Sequence, residues 1–166
     1  MSAVRLERLA AGHVEALLGF ETANRAYFAR SITDRGDAYF EEFGSRIGAL
    51  LAEQDAGVCH FHVVVDAEGE LIGRVNLVDV EGGVAELGYR IGERAAGRGV
   101  ATAAVGEVCR LAVAEYGLVG LMAVTTVDNV ASRTVLERNE FKAVEDIVLV
   151  GRPGVRYRRR LVAASR

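Results

Sequence analysis

Glu86-Leu87-Gly88-Tyr89-Arg90-Ile91-Gly92-Glu93-Arg94-Ala95-Ala96-Gly97-Arg98-Gly99-Val100-Ala101-Thr102 holds a complete change of backbone regime within one short stretch. A strand-like segment ends near Ile91, a loop with two closely spaced glycines follows, and a breaker-poor segment over residues 100–116 predicts a helix. Gly97 and Gly99 free the backbone to adopt positive φ and to approach a ligand closely. A helix starting directly afterwards presents amides without internal partners and the positive end of its dipole, which together suit a phosphate or diphosphate. Thr102 adds a hydroxyl. A Walker A loop would close on Gly-Lys-Ser/Thr, whereas Gly99 is followed by Val100-Ala101. A dinucleotide fingerprint would want a third glycine or alanine at Thr102, after the first strand of a repeated parallel array that is absent here. From this stretch alone, a glycine-rich turn capping an ordinary helix stays open as the alternative.

The segments on either side decide the fold class. Upstream, residues 58–65, 71–80 and 84–91 have strand periodicity and are separated by Asp66-Ala67-Glu68-Gly69 and Glu81-Gly82-Gly83, a three-stranded meander. Before it come a short strand marked by Val4, Leu6 and Leu9 and helices over residues 13–28 and 39–51. Tyr39, Phe40, Phe43, Ile47, Leu50 and Leu51 form one stripe of the second helix. Downstream, the β-branched run over residues 118–127 completes a parallel strand–loop–helix–strand unit. Asp128-Asn129 caps a short helix to Arg138, and strands over 141–150 and 155–162 close the chain around Gly151-Arg152-Pro153-Gly154. The predicted class is α+β: a mostly antiparallel, seven-stranded sheet with one central parallel crossover, in a single domain over residues 1–166.

Composition narrows the partners. The chain has 166 residues, enough for a proper core, and its 20 basic and 23 acidic side chains give no global attraction to nucleic acid. Cys59 and Cys109 show no metal or disulfide spacing, which fits a reducing cytoplasm. Neither a secretory signal nor a membrane span is expected, because the most apolar window, residues 118–127, is about half the roughly 20 residues a spanning helix needs.

Two blocks together resemble the GCN5-related N-acetyltransferase (GNAT) family. Arg94-x-x-Gly97-x-Gly99, preceded by Ala85 to Ile91 and followed by Val100-Ala101-Thr102, is similar to the family's acetyl-CoA motif. Asp128-Asn129-Val130-Ala131-Ser132, continuing to Asn139-Glu140-Phe141, resembles the Asn-x-x-Ser helix and following Gly-Phe of the Rim-type branch of ribosomal-protein N-terminal acetyltransferases. The resemblance covers nearly the whole chain. It departs from the family at Glu140, where relatives commonly have glycine, and at Ala103, where an acidic residue is common.

The resemblance implies a division of labour. Acetyl-CoA would be the co-substrate, with no metal. Tyr89, Arg90 and Ile91 would hydrogen-bond the pantetheine arm as a further strand does. The amides of Ala95, Ala96, Gly97, Arg98 and Gly99, with those of Val100 and Ala101, would surround the diphosphate, with Thr102 beside them and Arg94 and Arg98 adding charge at the rim. Asn129, also a plausible N-cap, would lie near pantetheine, and Ser132 would protonate the leaving thiolate. Glu86 would take the proton of the attacking amine, directly or through water. The acceptor implied is a protein N-terminal amine, a ribosomal protein's among the candidates. A small amine such as a polyamine or aminoglycoside, and a non-catalytic acyl-CoA-binding module, are the alternatives. A homodimer is compatible with it, and direct nucleic-acid or membrane binding is not expected.

Three further features are expected to be structural. His60 and His62 share one face of a strand without an evident third metal ligand. Arg156-Tyr157-Arg158-Arg159-Arg160 is a basic strand suited to an acidic acceptor, to ribosomal RNA, or simply to a solvated edge. Cys109 lies among Val105, Val108 and Ala112 and is expected in the core.

Overall fold

The structure is a computed structural model that describes residues 4–162. In chain order it comprises β1 (Val4–Arg8), α1 (Val14–Ala23), α2 (Arg25–Ala29), α3 (Asp37–Glu41), α4 (Phe43–Asp55), β2 (His60–Asp66), β3 (Leu71–Glu81), β4 (Val84–Ile91), α5 (Val100–Ala114), β5 (Gly120–Thr126), α6 (Val130–Arg138), β6 (Lys142–Leu149) and β7 (Arg152–Arg160). The seven strands form one sheet in the order β1-β2-β3-β4-β5-β7-β6. Every neighbouring pair is antiparallel except β4 and β5, which are parallel and joined through α5. The predicted α+β class and its parallel crossover are therefore observed.

Strand alternation sends side chains to two cores. Val75, Leu77, Ala85, Leu87, Leu121, Ala123 and Tyr157 pack with Ala104, Val105, Val108 and Ala112 of α5 and Leu136 of α6. On the opposite face Phe61, Val63 and Val65 meet Leu17 and Phe20 of α1, Phe28 of α2, Tyr39 of α3 and Phe43 and Ile47 of α4. Cys59 and Cys109 are both buried, and burial pushes both thiols up, Cys59 to about 11.

Both predicted N-terminal helices are broken. The first is interrupted at Asn24, whose φ of −104° and ψ of 7° leave the helical region while its side-chain amide donates to the Phe20 carbonyl at 2.9 Å. The second breaks at Glu42, with φ −102° and ψ 18°. Neither break carries a glycine or proline, so hydrophobic spacing alone ran across them. The final hairpin also differs. Its turn is Val150-Gly151, with φ 49° and 74°, and Pro153 and Gly154 belong to β7. Two positive φ values give the turn the twist of the flanking strands, so a two-residue loop suffices. Pro153 is tolerated because β5 pairs with β7 only from Gly154 onward.

At the C-terminus of α6, Glu140 stands where the resemblance implies glycine, with a visible consequence. Glu140 adopts φ 66°, and the amides of Glu140 and Phe141 return to the carbonyls of Glu137 and Leu136. This is the left-handed position after a helix that glycine occupies without a Cβ clash. Glu140→Gly should therefore raise stability by about 1 kcal/mol, since the left-handed region costs a non-glycine residue roughly 1–2 kcal/mol. Urea unfolding checks this, and an unchanged midpoint at unchanged slope would contradict it.

His60 and His62 are packing residues. The His60 ring stacks on Tyr116 with centroids 3.7 Å apart, and Arg8 Nη1 lies 3.2 Å from its Nδ1. His62 Nδ1 faces the Val75 carbonyl at 3.1 Å and so carries the proton, leaving Nε2 to accept from the Tyr116 hydroxyl. Burial drives His62 down to about 4. The unfolded chain, with an imidazole near about 6.5, then binds a proton that the folded chain refuses. Stability should be flat above about pH 6.5 and fall from there towards about pH 4, by up to about 1.4 kcal/mol per pH unit. His62→Gln should flatten that limb in denaturation curves collected across this range.

Candidate functional site

The site is built where β4 and β5 part. They pair only through Val84↔Gly120, Ala85↔Leu121 and Glu86↔Met122, although β4 runs on to Ile91 and β5 to Thr126. Beyond Glu86, β4 stays with β3 as far as Ile91, and β5 stays with β7 as far as the Thr126↔Gly154 pair. The facing edges of β4 and β5 are thus left without a strand partner for the length of a short extended ligand, which can pair with them. Tyr89, Arg90 and Ile91 lie along this edge.

The loop after β4 has the geometry expected of an anion cradle. Gly97 and Gly99 take φ 74° and 77°, and Gly99 is the N-cap of the fifteen-residue α5. No side chain caps that helix, so its first amides remain available. The amides of Ala95 and Ala96 are already spent, however, on the carbonyls of Gly92 and Glu93 at 3.0 and 3.2 Å. Ala95 is also buried under the loop. The cradle is therefore narrower than the sequence suggests: Gly97, Arg98 and Gly99, followed by Val100, Ala101 and Thr102 of the first turn. Arg94 and Arg98 are exposed at its rim and line a cavity of about 600 Å³ with Phe20, Asn24, Leu71 and Ile72. Glu86 and Ser132 do not line that cavity.

Two residues without any sequence signal hold the loop in place. Asn24 Oδ1 accepts from the Glu93 amide at 2.9 Å, which ties the start of the loop to α1. A Cβ on Gly92 would stand 2.9 Å from the Phe20 ring and 3.2 Å from Asn24 Oδ1, so that approach requires glycine. Asn139, 8% exposed, donates to the carbonyls of Thr102 at 3.1 Å and Val135 at 3.0 Å, tying α6 to the first turn of α5.

On the α5–α6 side of the fork, Asn129 Oδ1 accepts from the Ser132 amide at 3.1 Å, the N-cap of α6. Tyr89, on β4, points towards the same helix, and its hydroxyl donates to Ser132 Oγ at 3.2 Å. Ser132 keeps its own proton free for a third partner. Burial pushes the Tyr89 phenol up, against a smaller opposing effect of Ser132, so it stays protonated at neutral pH. The sequence placed Tyr89 beside pantetheine through its backbone, and the contact of its side chain with Ser132 was not foreseen.

On the other side of the fork lies the face towards α1–α4. Glu86 is exposed there and makes no ion pair among the described residues. Arg90 sends its side chain to this face, away from Tyr89, where Nη1 meets Glu21 Oε1 at 3.3 Å. Glu21 Oε2 also takes Arg74 Nη1 at 2.9 Å, and its side chain is 1% exposed. Asn76, opposite Gly88 on the same face, has a buried Oδ1 with no hydrogen-bond partner among the described residues. It is an acceptor suited to an incoming N–H. Among the described residues no cluster of three or more His, Cys, Asp or Glu could hold a metal, and no helix is long and apolar enough to cross a membrane.

A sheet forked beside a glycine-capped helix start, with an open strand edge and a run of unpaired amides, has the geometry of an acyl-CoA-dependent transferase. The chain belongs to the acetyltransferase (GNAT) family, whose domain model matches residues 4–142, and it is an acetyl-CoA-dependent acetyltransferase. Among solved structures it is similar to a ribosomal-protein alanine acetyltransferase from Vibrio fischeri, with 18% identity, a TM-score of 0.88 and 96% of each chain covered. It is also similar to RimJ from Mycobacterium smegmatis in complex with CoA-disulfide, with 20% identity, a TM-score of 0.84, and 95% of this chain and 81% of that chain covered. A spermidine N-acetyltransferase from Vibrio cholerae in complex with CoA and spermine has 18% identity, a TM-score of 0.80 and 95% of each chain covered. At these identities the neighbours establish the fold and leave the acceptor open. No curated protein matches in sequence.

Gly99→Val should raise the acetyl-CoA dissociation constant ten-fold or more, about 1.4 kcal/mol, by obstructing the cradle and straining a φ of 77°. Calorimetry on the folded variant measures this, and wild-type affinity would remove Gly99 from the site.

Proposed function

We propose that the protein acetylates the N-terminal amine of a protein by direct attack on acetyl-CoA in a ternary complex. The observation that carries this is the placement of Glu86 and Ser132 on opposite faces of the sheet at one fork: Glu86 forms the last β4–β5 pair, and Ser132 is held by Tyr89 three residues further along β4. A thioester lying in the fork would meet both. The incoming amine must be neutral, and Glu86 takes its proton, directly or through one water. Asn76 Oδ1 accepts a second N–H and orients the lone pair. As the nitrogen bonds to the carbonyl carbon, the carbon–sulfur bond breaks and its electron pair leaves on sulfur. Ser132 donates a proton there, with the Tyr89 hydroxyl orienting the serine oxygen from behind. The cradle over residues 97–102 binds the diphosphate and fixes the thioester relative to these groups, so that most of the rate enhancement comes from positioning.

A small amine fits the same chemistry, but Glu86 is exposed beside half-buried Met122 and Val124, a strand surface that suits an extended chain. Mass spectrometry of N-terminal peptides from cells with and without the protein tests the acceptor without presupposing it. Unchanged N-terminal acetylation would overturn this assignment.

The two chemical roles separate by kinetics. Glu86→Gln should lower kcat at neutral pH and flatten its alkaline rise, and a wild-type pH profile would acquit Glu86. Ser132→Ala should lower kcat by up to about 10²- to 10⁴-fold while the acetyl-CoA dissociation constant stays within about three-fold, since one neutral hydrogen bond nets only roughly 0.5–1.5 kcal/mol. Lost affinity at full kcat would instead make Ser132 a binding residue.

A further inference from the structure

The basic strand β7 was left over by the chemistry above, and its register places it beside the acceptor amine. Across the sheet, Glu86 pairs with Met122, Met122 with Arg158, and Arg158 with Lys142, so these four side chains form one row on one face. In the next row Val124 pairs with Arg156, and Arg156 with Glu145. Leu121, Ala123 and Tyr157 alternate with these residues and point into the α5–α6 core, which sends Arg156 and Arg158 to the side of Glu86. Helices α1 and α4 pack over β3 and β2 on that side, whereas Glu86, Arg158 and Lys142 are exposed.

The charges along this row are asymmetric. Glu145 is 3.4 Å from Arg156 Nη1, and Glu21 is buried between Arg74 and Arg90, so neither carboxylate is free for a cation. Arg156 is thereby engaged, whereas Arg158 and Lys142 make no ion pair among the described residues. An acceptor whose amine sits at Glu86 and whose chain crosses β5 towards β7 therefore leaves one carboxylate and meets guanidinium and ammonium groups. A polyamine would be repelled there. An acidic side chain would be held by Arg158 and Lys142 beside half-buried Met122 and Val124.

We propose that the acceptor is an N-terminus carrying Asp or Glu at its third or fourth position, selected by Arg158 and Lys142; this rests on the N-terminal acetyltransferase reading above. The position follows from geometry. Adjacent strands are about 4.8 Å apart, so Arg158 lies about 10 Å across the sheet from Glu86, and an extended peptide covers that distance in about three residues. Ribosomal RNA is a poorer occupant of this row, because its phosphates would run onto Glu86 and Glu145.

The test uses the full chain with acetyl-CoA and three Ser-initiated hexapeptides that differ only in having Glu, Gln or Lys at positions three and four, with acetylation followed by mass spectrometry. The expected order of kcat/KM is Glu over Gln over Lys, with about ten-fold between Glu and Gln and a smaller gap in high salt. Arg158→Glu, on an exposed side chain, should retain acetyl-CoA binding and reverse the order of the Glu and Lys peptides. Equal rates for all three peptides would overturn the charge selection and leave N-terminal acetylation standing. Inert peptides beside efficient acetylation of spermidine would overturn both. Binding of a short RNA that Arg158→Glu abolishes, with no charge order among the peptides, would assign β7 to nucleic acid instead.

Discussion

Everything functional in this molecule depends on two parallel strands that stop pairing. β4 and β5 share three residue pairs, after which each follows its other neighbour, β4 with β3 and β5 with β7. The accumulated twist of the sheet then separates them. Unpaired strand edges are ordinarily a cost that folded proteins cover, so an opening in the middle of a sheet implies a ligand that supplies the missing partner. At this opening Ser132 lies on the α6 side of the sheet and Glu86 on the side of α1–α4, so a group seated in the gap is reachable from both faces.

Keeping such a gap open requires rigid walls. Glu21 on α1, 1% exposed, joins Arg74 of β3 and Arg90 of β4 and so clamps the N-terminal helices across the pair of strands that leads into the loop. One carboxylate serves two guanidiniums, and loss of Glu21 would leave both of them without their counter-charge. Asn24 and Asn139 act at the loop itself, one fastening its first turn to α1 and the other its helix to α6. These three polar contacts fix the glycine loop and the start of α5 relative to the fork.

Departures from the family pattern have local consequences. Glu140, where the family resemblance leads one to expect glycine, still takes the left-handed φ of 66° that the end of α6 demands, so the turn keeps its geometry at a conformational cost. Ala103 lies within the first turn of α5, beyond the amides of the cradle, and does not alter it.

The sequence by itself determined the α+β class, the crossover and the loop, because each has a short-range cause: period-two alternation, Gly97 and Gly99 directly before a helix, and Asn129 as its neighbour's cap. It also paired the two blocks that carry the family likeness. It misplaced the breaks at Asn24 and Glu42 and the final turn, where no glycine or proline marks the helix breaks and Pro153 drew the turn too far along the chain. The clamp of Glu21 with Arg74 and Arg90, the hydroxyl contact between Tyr89 and Ser132, and the row from Glu86 to Lys142 were decided only by the tertiary structure. Their members lie far apart in sequence, and register across four strands, not local propensity, brings them to one face.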